Sequence, residues 1–330
     1  MIYVNLPNTD NHIPPFYLAM EEHIARHLPP ADYFFMWQVK PSVICGRNQL
    51  IYAEVNLPFC QSHDVGIYRR KSGGGCVYAD QGNIMLSYIT SGENVGFTYN
   101  KYVTLLLSAL RQIGITATAS GRNDVMIDGK KVSGNAFYRL PGRSIVHGTM
   151  LYDTDITNMQ NALTPSSNKL RSKGVASIRQ HITTIRSLSD ISINDFIAAL
   201  RKFMCDQRKD LSTKSMTLTT EDICSINDIE RSYLTDTFIY GNNPRYNVTP
   251  KGHIDGVGDF VISIEMNHNV IKSIDFKGDF FLIGDIQSAV IQPLINVPLE
   301  RKALSQALPD DLSDIIKDLH KNDLINILLQ

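Results

Sequence analysis

The sequence lacks several common functional signatures. Its five cysteines form no C-x-x-C pair, and their odd number argues against a disulfide framework. No run of about 18 apolar residues occurs, and no targeting segment precedes the first strand-like residues. With 32 basic and 33 acidic residues, the chain shows no charge excess that would suit nucleic acid. These absences predict a soluble, cytoplasmic protein that binds neither nucleic acid nor a membrane and has no zinc site.

The order of patterns along the chain predicts a mixed α+β protein with two domains. At 330 residues the chain is long enough for one large domain and one small one. Buried strands are predicted at 33–37 and 42–45, a strand with alternating side chains at 83–90, and helices at 14–24 and 99–113. Residues 241–258, rich in Gly, Asn and Pro, are the predicted linker. Beyond them, alternating apolar residues followed by helical patterns indicate a separate small α+β module.

The segment 69–83 (RRKSGGGCVYADQGN) is the most informative in the chain. Gly73, Gly74 and Gly75 lie between two short apolar strands, and glycines let backbone N–H groups approach an anion closely. Three preceding cations and the hydroxyl of Ser72 would add to such an anion cradle. Neither G-x-x-x-x-G-K-[ST] nor G-x-G-x-x-G is present. A glycine hairpin with solvated charges is the alternative that this segment alone leaves open.

A second pattern predicts a tight β-hairpin. Asp128-Gly129 separates residues 125–127 from residues 130–132, and Asp-Gly supplies the positive φ angles of a two-residue turn. Lys131 is therefore expected on a rigid strand close to the turn. By itself, it could equally be a solvent-facing hairpin lysine.

Taken together, these and other motifs resemble the lipoate-protein ligase A family, within the group that contains biotin ligases and octanoyl transferases. The likeness covers nearly the whole chain. The segments that carry it are 16–22 (FYLAMEE), 44–48 (ICGRN), 69–78 (RRKSGGGCVY), 121–124 (GRND), 131–136 (KVSGNA), 147–149 (HGT), 163–185 and 240–244 (YGNNP).

The resemblance implies a fold and a reaction. The fold would be a mixed-sheet biotin/lipoate ligase-like catalytic domain over residues 1–245, with a small α+β accessory domain over 246–330. The reaction would use ATP and Mg²⁺ to convert lipoate into lipoyl-AMP with release of pyrophosphate. The lipoyl group would then pass to a lysine of an acceptor, either a lipoyl domain of a 2-oxoacid dehydrogenase complex or the glycine cleavage H protein.

The resemblance also implies roles for particular residues. Lys131 would be catalytic, contacting the lipoyl carboxyl and the α-phosphate, while Arg70 and the 75–78 backbone would hold the nucleotide and acyl ends. Asp124 would contact the adenylate or Mg²⁺. The remaining expected binding residues are Ser72, Gly73, Gly74, Gly75, Cys76, Val77, Tyr78, Asn83, Ser133, Gly134, Ala136, His147, Gly148 and Thr149.

Some of these assignments have competing interpretations. Asp124 could cap the hairpin, and His147 is expected to position groups more than to act as a general base. The basic run over 169–179 could be a solvated face or a loop over the nucleotide. Two positions depart from the family pattern: Ala79-Asp80 replaces His-Asp, and Cys76 replaces a small apolar residue.

Two rival functions remain at this point. One is an octanoyl transferase that needs no ATP, against which the accessory domain argues. The other is a non-catalytic lipoate-binding protein, which would not need the complete set of Lys131, Arg70 and three glycines.

Overall fold

The computed structural model describes residues 1–8, 12–49, 51–120, 123–163, 181–205, 214–240, 248–267 and 270–329. The chain divides into two compact units. The large unit contains Met1–Ile44, Tyr52–Arg70 and Val77–Ile239. The small unit contains Cys45–Ile51, Lys71–Cys76 and Tyr240–Gln330, so two short early segments group with the C-terminal part. The domain boundary at 245 stays a prediction, because residues 241–247 lie outside the described part of the chain.

The main sheet of the large unit has eight strands in the order β11-β1-β2-β6-β10-β9-β8-β7. Strand β1 pairs in parallel with β2 and β11, and the remaining neighbours pair antiparallel. The predicted mixed-sheet α+β class is therefore confirmed. The strands are β1 Ile2–Asn5, β2 Tyr33–Trp37, β6 Asn83–Thr90, β7 Thr118–Ala119, β8 Asp124–Ile127, β9 Lys130–Leu140, β10 Arg143–Leu151 and β11 Ser215–Thr217.

A second sheet contains three short strands: β3 Ser42–Cys45, β4 Gly66–Arg69 and β5 Val77–Ala79. Their order is β4-β3-β5, so β3 lies between the two strands that flank the glycine segment. The glycine segment consequently crosses from one edge of this sheet to the other. The hairpin alternative for it is wrong, because β4 and β5 are not paired with each other.

Helices of the large unit follow the sequence signals closely. Pro14 opens α1, and Asn94 caps α4 by accepting a hydrogen bond from Phe97 N–H at 2.8 Å, so α4 starts four residues before its predicted beginning at Tyr99. Ser192 and Asp195 cap the start of α6 through their side chains. The helices are α1 Pro14–His27, α2 Ile51–Glu54, α3 Leu57–Ser62, α4 Val95–Gln112, α5 Ile156–Ala162, α6 Ile193–Cys205, α7 Thr220–Tyr233 and α8 Asp236–Tyr240.

Helix α1 is buried along most of its length because the main sheet covers one face and α7 covers the other. Phe16 and Ile24 belong to the apolar core, in which Tyr17 stacks on Trp37 with ring centroids 4.7 Å apart. The packing between the main sheet and α7 also buries the two acids of α1, Glu21 and Glu22. Such groups must find partners inside the protein.

The small unit has its own three-stranded antiparallel sheet and its own core. Strands β12 Lys251–Ile254, β13 Gly258–Asn267 and β14 Val270–Asp279 are adjacent in that order. Phe260 stacks on Phe280 at 4.7 Å within the core. The linker prediction is wrong for residues 251–254, which form β12, because their pairing with β13 outweighs the local Gly content. The helical segments are a π-helical turn at Gln287–Ile291, α9 Gln292–Leu294, α10 Arg301–Ala307 and α11 Lys321–Leu328.

A polar junction joins α1 to α7. The Nε2–H of His23 donates to Asp222 Oδ1 at 2.9 Å, and the Nδ1 of His23 accepts from Ser225 Oγ–H at 2.9 Å. Burial lowers the pKa of the His23 imidazole from its ordinary value of 6.5, and the carboxylate of Asp222 only partly opposes this effect. The neutral ring is therefore the form that fits the folded protein.

We expect the free energy of unfolding to decrease as the pH falls below 6.5. In that range the unfolded chain protonates His23 while the folded protein resists protonation, so acid favours unfolding. Urea unfolding at several pH values between 7.5 and 5.5 measures this effect. The matched variant His23→Gln cannot titrate and should lose less stability over the same range. Equal losses in the two proteins would contradict the assignment.

Within the described residues, no helix is long and apolar enough to cross a membrane.

Candidate functional site

The hairpin that carries Lys131 has the predicted tight turn. Asp128 and Gly129 have φ angles of 48° and 73°, as a two-residue turn between twisted strands requires. The pairing of β8 with β9 shifts by one residue, because Val125 pairs with Ser133 and Met126 with Lys131. The opposite edge of Lys131 is also held, since its carbonyl accepts from Thr183 N–H at 2.9 Å. The backbone at Lys131 is fixed from both sides.

The Lys131 ammonium lies against Asp124 and above Gly134. Its Nζ is 2.7 Å from Asp124 Oδ1, and the two side chains remain 37% and 28% exposed. A Cβ atom at Gly134 would lie 2.9 Å from both Cε and Nζ of Lys131. The K-V-S-G spacing thus has a physical reason, because a glycine three residues on leaves room for the lysine side chain. The result is a positioned cation that solvent can reach.

The neighbouring residues hold the Gly134 backbone in place. Thr149 Oγ1 accepts from Gly134 N–H at 3.0 Å. Asn135 and Asn123 form a reciprocal pair in which each side-chain amide donates to the other backbone carbonyl, at 2.9 and 2.8 Å. Ser133 is fully buried. These hydrogen bonds hold the part of β9 that follows Lys131 in place.

Gly148 is required by close packing within the same strands. It pairs with Asn135 across β9 and β10, and a Cβ atom there would overlap the Asn135 amide oxygen and lie 2.7 Å from the Tyr102 hydroxyl. Asn135 lies within the 131–136 segment (KVSGNA) but is not among the predicted site residues. Its tight fit against Gly148 is a tertiary contact that no local pattern announces.

His147 lies in a buried polar chain behind the hairpin, paired with Ala136 on β9. Its Nδ1–H donates to the Glu21 carboxylate, with distances of 2.9 and 3.0 Å to the two oxygens. Ser87 Oγ donates to Glu21 at 2.6 Å and accepts from Trp37 Nε1–H at 3.0 Å. Glu21 therefore fixes the orientation of the imidazole, and the positioning role of His147 stays a prediction.

Glu21, Ser87 and Trp37 are members of this cluster that the sequence interpretation missed. Glu21 lies in the FYLAMEE segment, where an acid on the buried face of an apolar helix is the one signal that could have revealed it.

We expect Glu21→Gln to destabilise the protein by about 1.5–3 kcal/mol, because hydrogen bonds to a charged group become neutral ones inside the core. Urea unfolding measures the loss. The control is Asp228→Asn, which removes an ion pair with Arg231 between side chains that are 70% and 80% exposed. That change should cost about 0–1 kcal/mol. If both variants lose the same amount, the buried chain does not contribute as described.

Arginines 69 and 70, two of the three cations expected to add to the anion cradle, are buried. Arg69 Nε donates to the Ile239 carbonyl at 2.7 Å, and Arg70 Nη1 donates to the Ile44 carbonyl at 2.9 Å. Both therefore brace the three-stranded sheet of the large unit. The binding role of Arg70 stays a prediction.

Asn83 and Tyr78 form a compact buried corner of the large unit. Asn83 Nδ2 donates to the Tyr78 carbonyl at 3.0 Å, while its Oδ1 has no hydrogen-bond partner among the described residues. Burial, together with the charges of Asp80 and Asp155, raises the pKa of Tyr78 to about 12. Tyr78 is therefore a neutral, buried side chain next to Val77. The Asn83 amide oxygen is a buried acceptor that a ligand could satisfy.

Asp80, which follows the departure from the family pattern, has a structural role. Its carboxylate accepts from the backbone N–H groups of Gly82 and Asp155, each at 2.9 Å.

The glycine segment belongs to the small unit and packs on the end of β14. Of its three glycines only Gly74 has a positive φ, 85°. Gly74 N–H donates to the Phe280 carbonyl at 3.0 Å, and a Cβ atom on Gly73 would collide with that same oxygen. Ser72 is buried, and its carbonyl accepts from Arg47 N–H at 2.8 Å. In this structure the Gly74 amide is bonded to protein instead of facing an anion.

The predicted site residues thus fall into two groups. The large unit holds Arg70, Val77, Tyr78 and Asn83 as well as Lys131 and its neighbours on β8, β9 and β10, whereas the small unit holds the 72–76 segment. Residues 121–122 and 164–180, which include the basic run, lie outside the described residues. In the part of the chain that the structure describes, no three His, Cys, Asp or Glu side chains are grouped to hold a metal ion.

Comparison with known proteins identifies the family. Residues 14–204 match the Lipoyl protein ligase A/B catalytic domain, and residues 243–328 match the Bacterial lipoate protein ligase C-terminus. The chain is 30% identical to lipoate-protein ligase LplJ of Bacillus subtilis over 334 residues, which cover 99% of this chain and 100% of that protein.

Solved structures share the fold. LipL1 of P. falciparum in complex with lipoate superposes with a TM-score of 0.79 at 18% identity, covering 100% of this chain and 99% of that one. A lipoate-protein ligase A bound with ATP has a TM-score of 0.62 at 22% identity, covering 73% of this chain and 97% of that one. The resemblance inferred from the motifs is confirmed, and the chain belongs to the lipoate-protein ligase family of enzymes.

Proposed function

We propose that this protein is an ATP-dependent lipoate-protein ligase that forms lipoyl-AMP and then transfers the lipoyl group to a lysine of an acceptor protein. The main support is the position of the Lys131 ammonium. Its backbone is hydrogen-bonded on both sides, and its Nζ lies 2.7 Å from Asp124 Oδ1 while the side chain stays partly exposed. Proteins of this fold have been solved with lipoate and with ATP. We assign both ligands to this chain as substrates.

Electrostatic stabilisation is the main chemical requirement of both steps. In the first, a lipoate carboxylate oxygen attacks the α-phosphate and pyrophosphate leaves, so negative charge develops on phosphoryl oxygens. In the second, an acceptor amine attacks the acyl carbon and AMP leaves, so charge develops on the acyl oxygen. A fixed cation at one place serves both steps. Lys131 would meet that requirement, because its backbone is hydrogen-bonded on both sides and its ammonium is paired with Asp124.

The other residues of the hairpin cluster would support this cation. Gly134 leaves the space that the lysine side chain occupies, and Thr149 holds the Gly134 backbone. Asn83 supplies a buried amide oxygen suited to an N–H or O–H donor on a ligand. His147, oriented by Glu21, would line the site.

Asp124 fits Mg²⁺ as a single protein ligand. Mg²⁺ usually keeps several waters and binds through one or two carboxylates together with substrate phosphates. The grouping of one carboxylate next to Lys131, without a cluster of three ligands in the described ranges, suits that kind of shared site. When bound, the ion would neutralise charge on the nucleotide phosphates.

The acceptor would be a lipoyl domain of a 2-oxoacid dehydrogenase complex or the glycine cleavage H protein. The test is to incubate the purified protein with a lipoyl domain, ATP and lipoate, and to weigh the intact acceptor by mass spectrometry. A lipoyl adduct that requires ATP supports the proposal. An adduct that forms only from an octanoyl carrier, with or without ATP, would assign the transferase instead, and no adduct under any condition would favour a non-catalytic binder.

A further inference from the structure

Two cysteines face each other at the end of a strand pair. In the second sheet β3 pairs antiparallel with β5, and Ile44 lies opposite Val77. Continued by one residue, the same register places Cys45, the last residue of β3, opposite Cys76, which immediately precedes β5. Directly opposed residues of an antiparallel pair have Cα atoms about 4.5–5.5 Å apart, which lies within the range that disulfides span.

The sulfur atoms are close as well. The Sγ atoms of Cys45 and Cys76 are 3.2 Å apart, so forming a bond of about 2.0 Å needs only a small rotation of the side chains. Cys45 is fully buried, whereas Cys76 is partly exposed. One accessible thiol beside one protected thiol is the arrangement of an attacking and a resolving cysteine.

We propose that Cys45 and Cys76 form a reversible thiol–disulfide pair that responds to peroxides. The Cys76 thiolate would attack a hydroperoxide, giving a sulfenic acid and releasing water or the corresponding alcohol. The Cys45 thiol would then attack the oxidised sulfur, forming the S–S bond and releasing water. The two thiols lose two electrons and two protons, and the peroxide is reduced. A dithiol reductant reverses the change.

The position of the pair gives the disulfide a consequence. Cys76 ends the glycine segment, which begins at Ser72 and is held to the small unit through Gly74 N–H and the Phe280 carbonyl. A bond to Cys45 would tie the second end of this segment to β3. If the proposed function holds, the segment must accommodate the nucleotide, so the tied form should be a poorer ligase. This consequence rests on the proposed function, whereas the disulfide itself does not.

The first readout therefore needs no activity. The reduced full-length protein is treated with hydrogen peroxide and then unfolded in denaturant without a reductant, so that the buried thiols are also exposed, and the remaining thiols are alkylated before mass spectrometry. We expect three alkyl groups instead of five, a protein mass two hydrogens lower than three alkylations alone would give, and a linked pair of peptides containing residues 45 and 76. Dithiothreitol should restore all five. In Cys45→Ala the linkage should be absent, and a sulfenic-acid probe should label Cys76.

Three results would overturn the pair: five thiols that stay alkylatable, oxidation of Cys76 without linkage in the wild type, or linkage through the exposed Cys224 instead. The second readout is lipoyl transfer by the same samples. We expect up to roughly a hundredfold loss on oxidation, with recovery after reduction, because closing the 3.2 Å gap between the sulfur atoms shifts the end of the segment by up to about 1 Å and a misplacement of that size can cost this much. In Cys76→Ala the ratio of treated to untreated activity should not change.

A linked protein with full activity would refute the regulatory consequence. An inactive reduced protein would refute the proposed function and leave the disulfide result standing.

Discussion

Replacing Lys131 with alanine should lower the rate of lipoyl-AMP formation by roughly a hundred- to thousandfold, equivalent to about 3–4 kcal/mol of transition-state stabilisation. The ammonium is the positioned cation of the hairpin, and its removal also breaks the ion pair with Asp124. The fold should persist, because the side chain is 37% exposed and packs little. Single-turnover measurement of lipoyl-AMP, with circular dichroism as a check on folding, gives the answer.

The matched control for this change is Lys130→Ala. Lys130 precedes Lys131 on the same strand and is exposed, so its removal changes the net charge equally without touching the Asp124 pair. Its rate should stay near the wild-type value. If the two variants behave alike, the cation at 131 has no special role and the assignment is wrong.

Gly74→Val should weaken binding of a non-hydrolysable lipoyl-AMP analogue strongly. Gly74 has a φ of 85°, and a β-branched residue held there costs about 1–3 kcal/mol of strain. The amide that donates to the Phe280 carbonyl would be displaced, and the valine side chain would occupy space at the segment that is expected to hold the anion. Calorimetric titration of the analogue measures the affinity.

A second glycine separates strain from binding. Gly142, in the turn between β9 and β10, has a φ of 73°, and a Cβ atom there meets no other atom within 4 Å. Gly142→Val should therefore be destabilised by a comparable amount and bind the analogue normally. Unchanged affinity in Gly74→Val would refute the anion cradle.

The sequence predicted best where local chemistry dictates the backbone. Asp128-Gly129 required a tight turn, and the turn is present with both positive φ angles. Pro14 marked the start of α1 correctly. The family motifs placed Lys131, Gly134 and Thr149 in one site, and the structure gives the reason for their spacing through the room above Gly134.

Features that depend on long-range pairing were beyond the sequence. The sequence did not indicate that β3 lies between β4 and β5. In that arrangement Arg69 and Arg70 are buried, and each donates to a carbonyl distant in the chain. The Glu21 carboxylate meets His147 126 positions away, and nothing local indicates that contact. The local composition of residues 251–254 is typical of a linker. They form a strand because pairing with β13 outweighs that local propensity.

The central claim is that this protein activates lipoate as an adenylate, and exchange of labelled pyrophosphate into ATP tests it most directly. The purified protein is incubated with ATP, Mg²⁺ and labelled pyrophosphate, without any acceptor. Reversible formation of lipoyl-AMP predicts label in ATP only when lipoate is present, and loss of that label in Lys131→Ala but not in Lys130→Ala. Absence of lipoate-dependent exchange, in a folded protein that transfers acyl groups from a carrier, would contradict the claim.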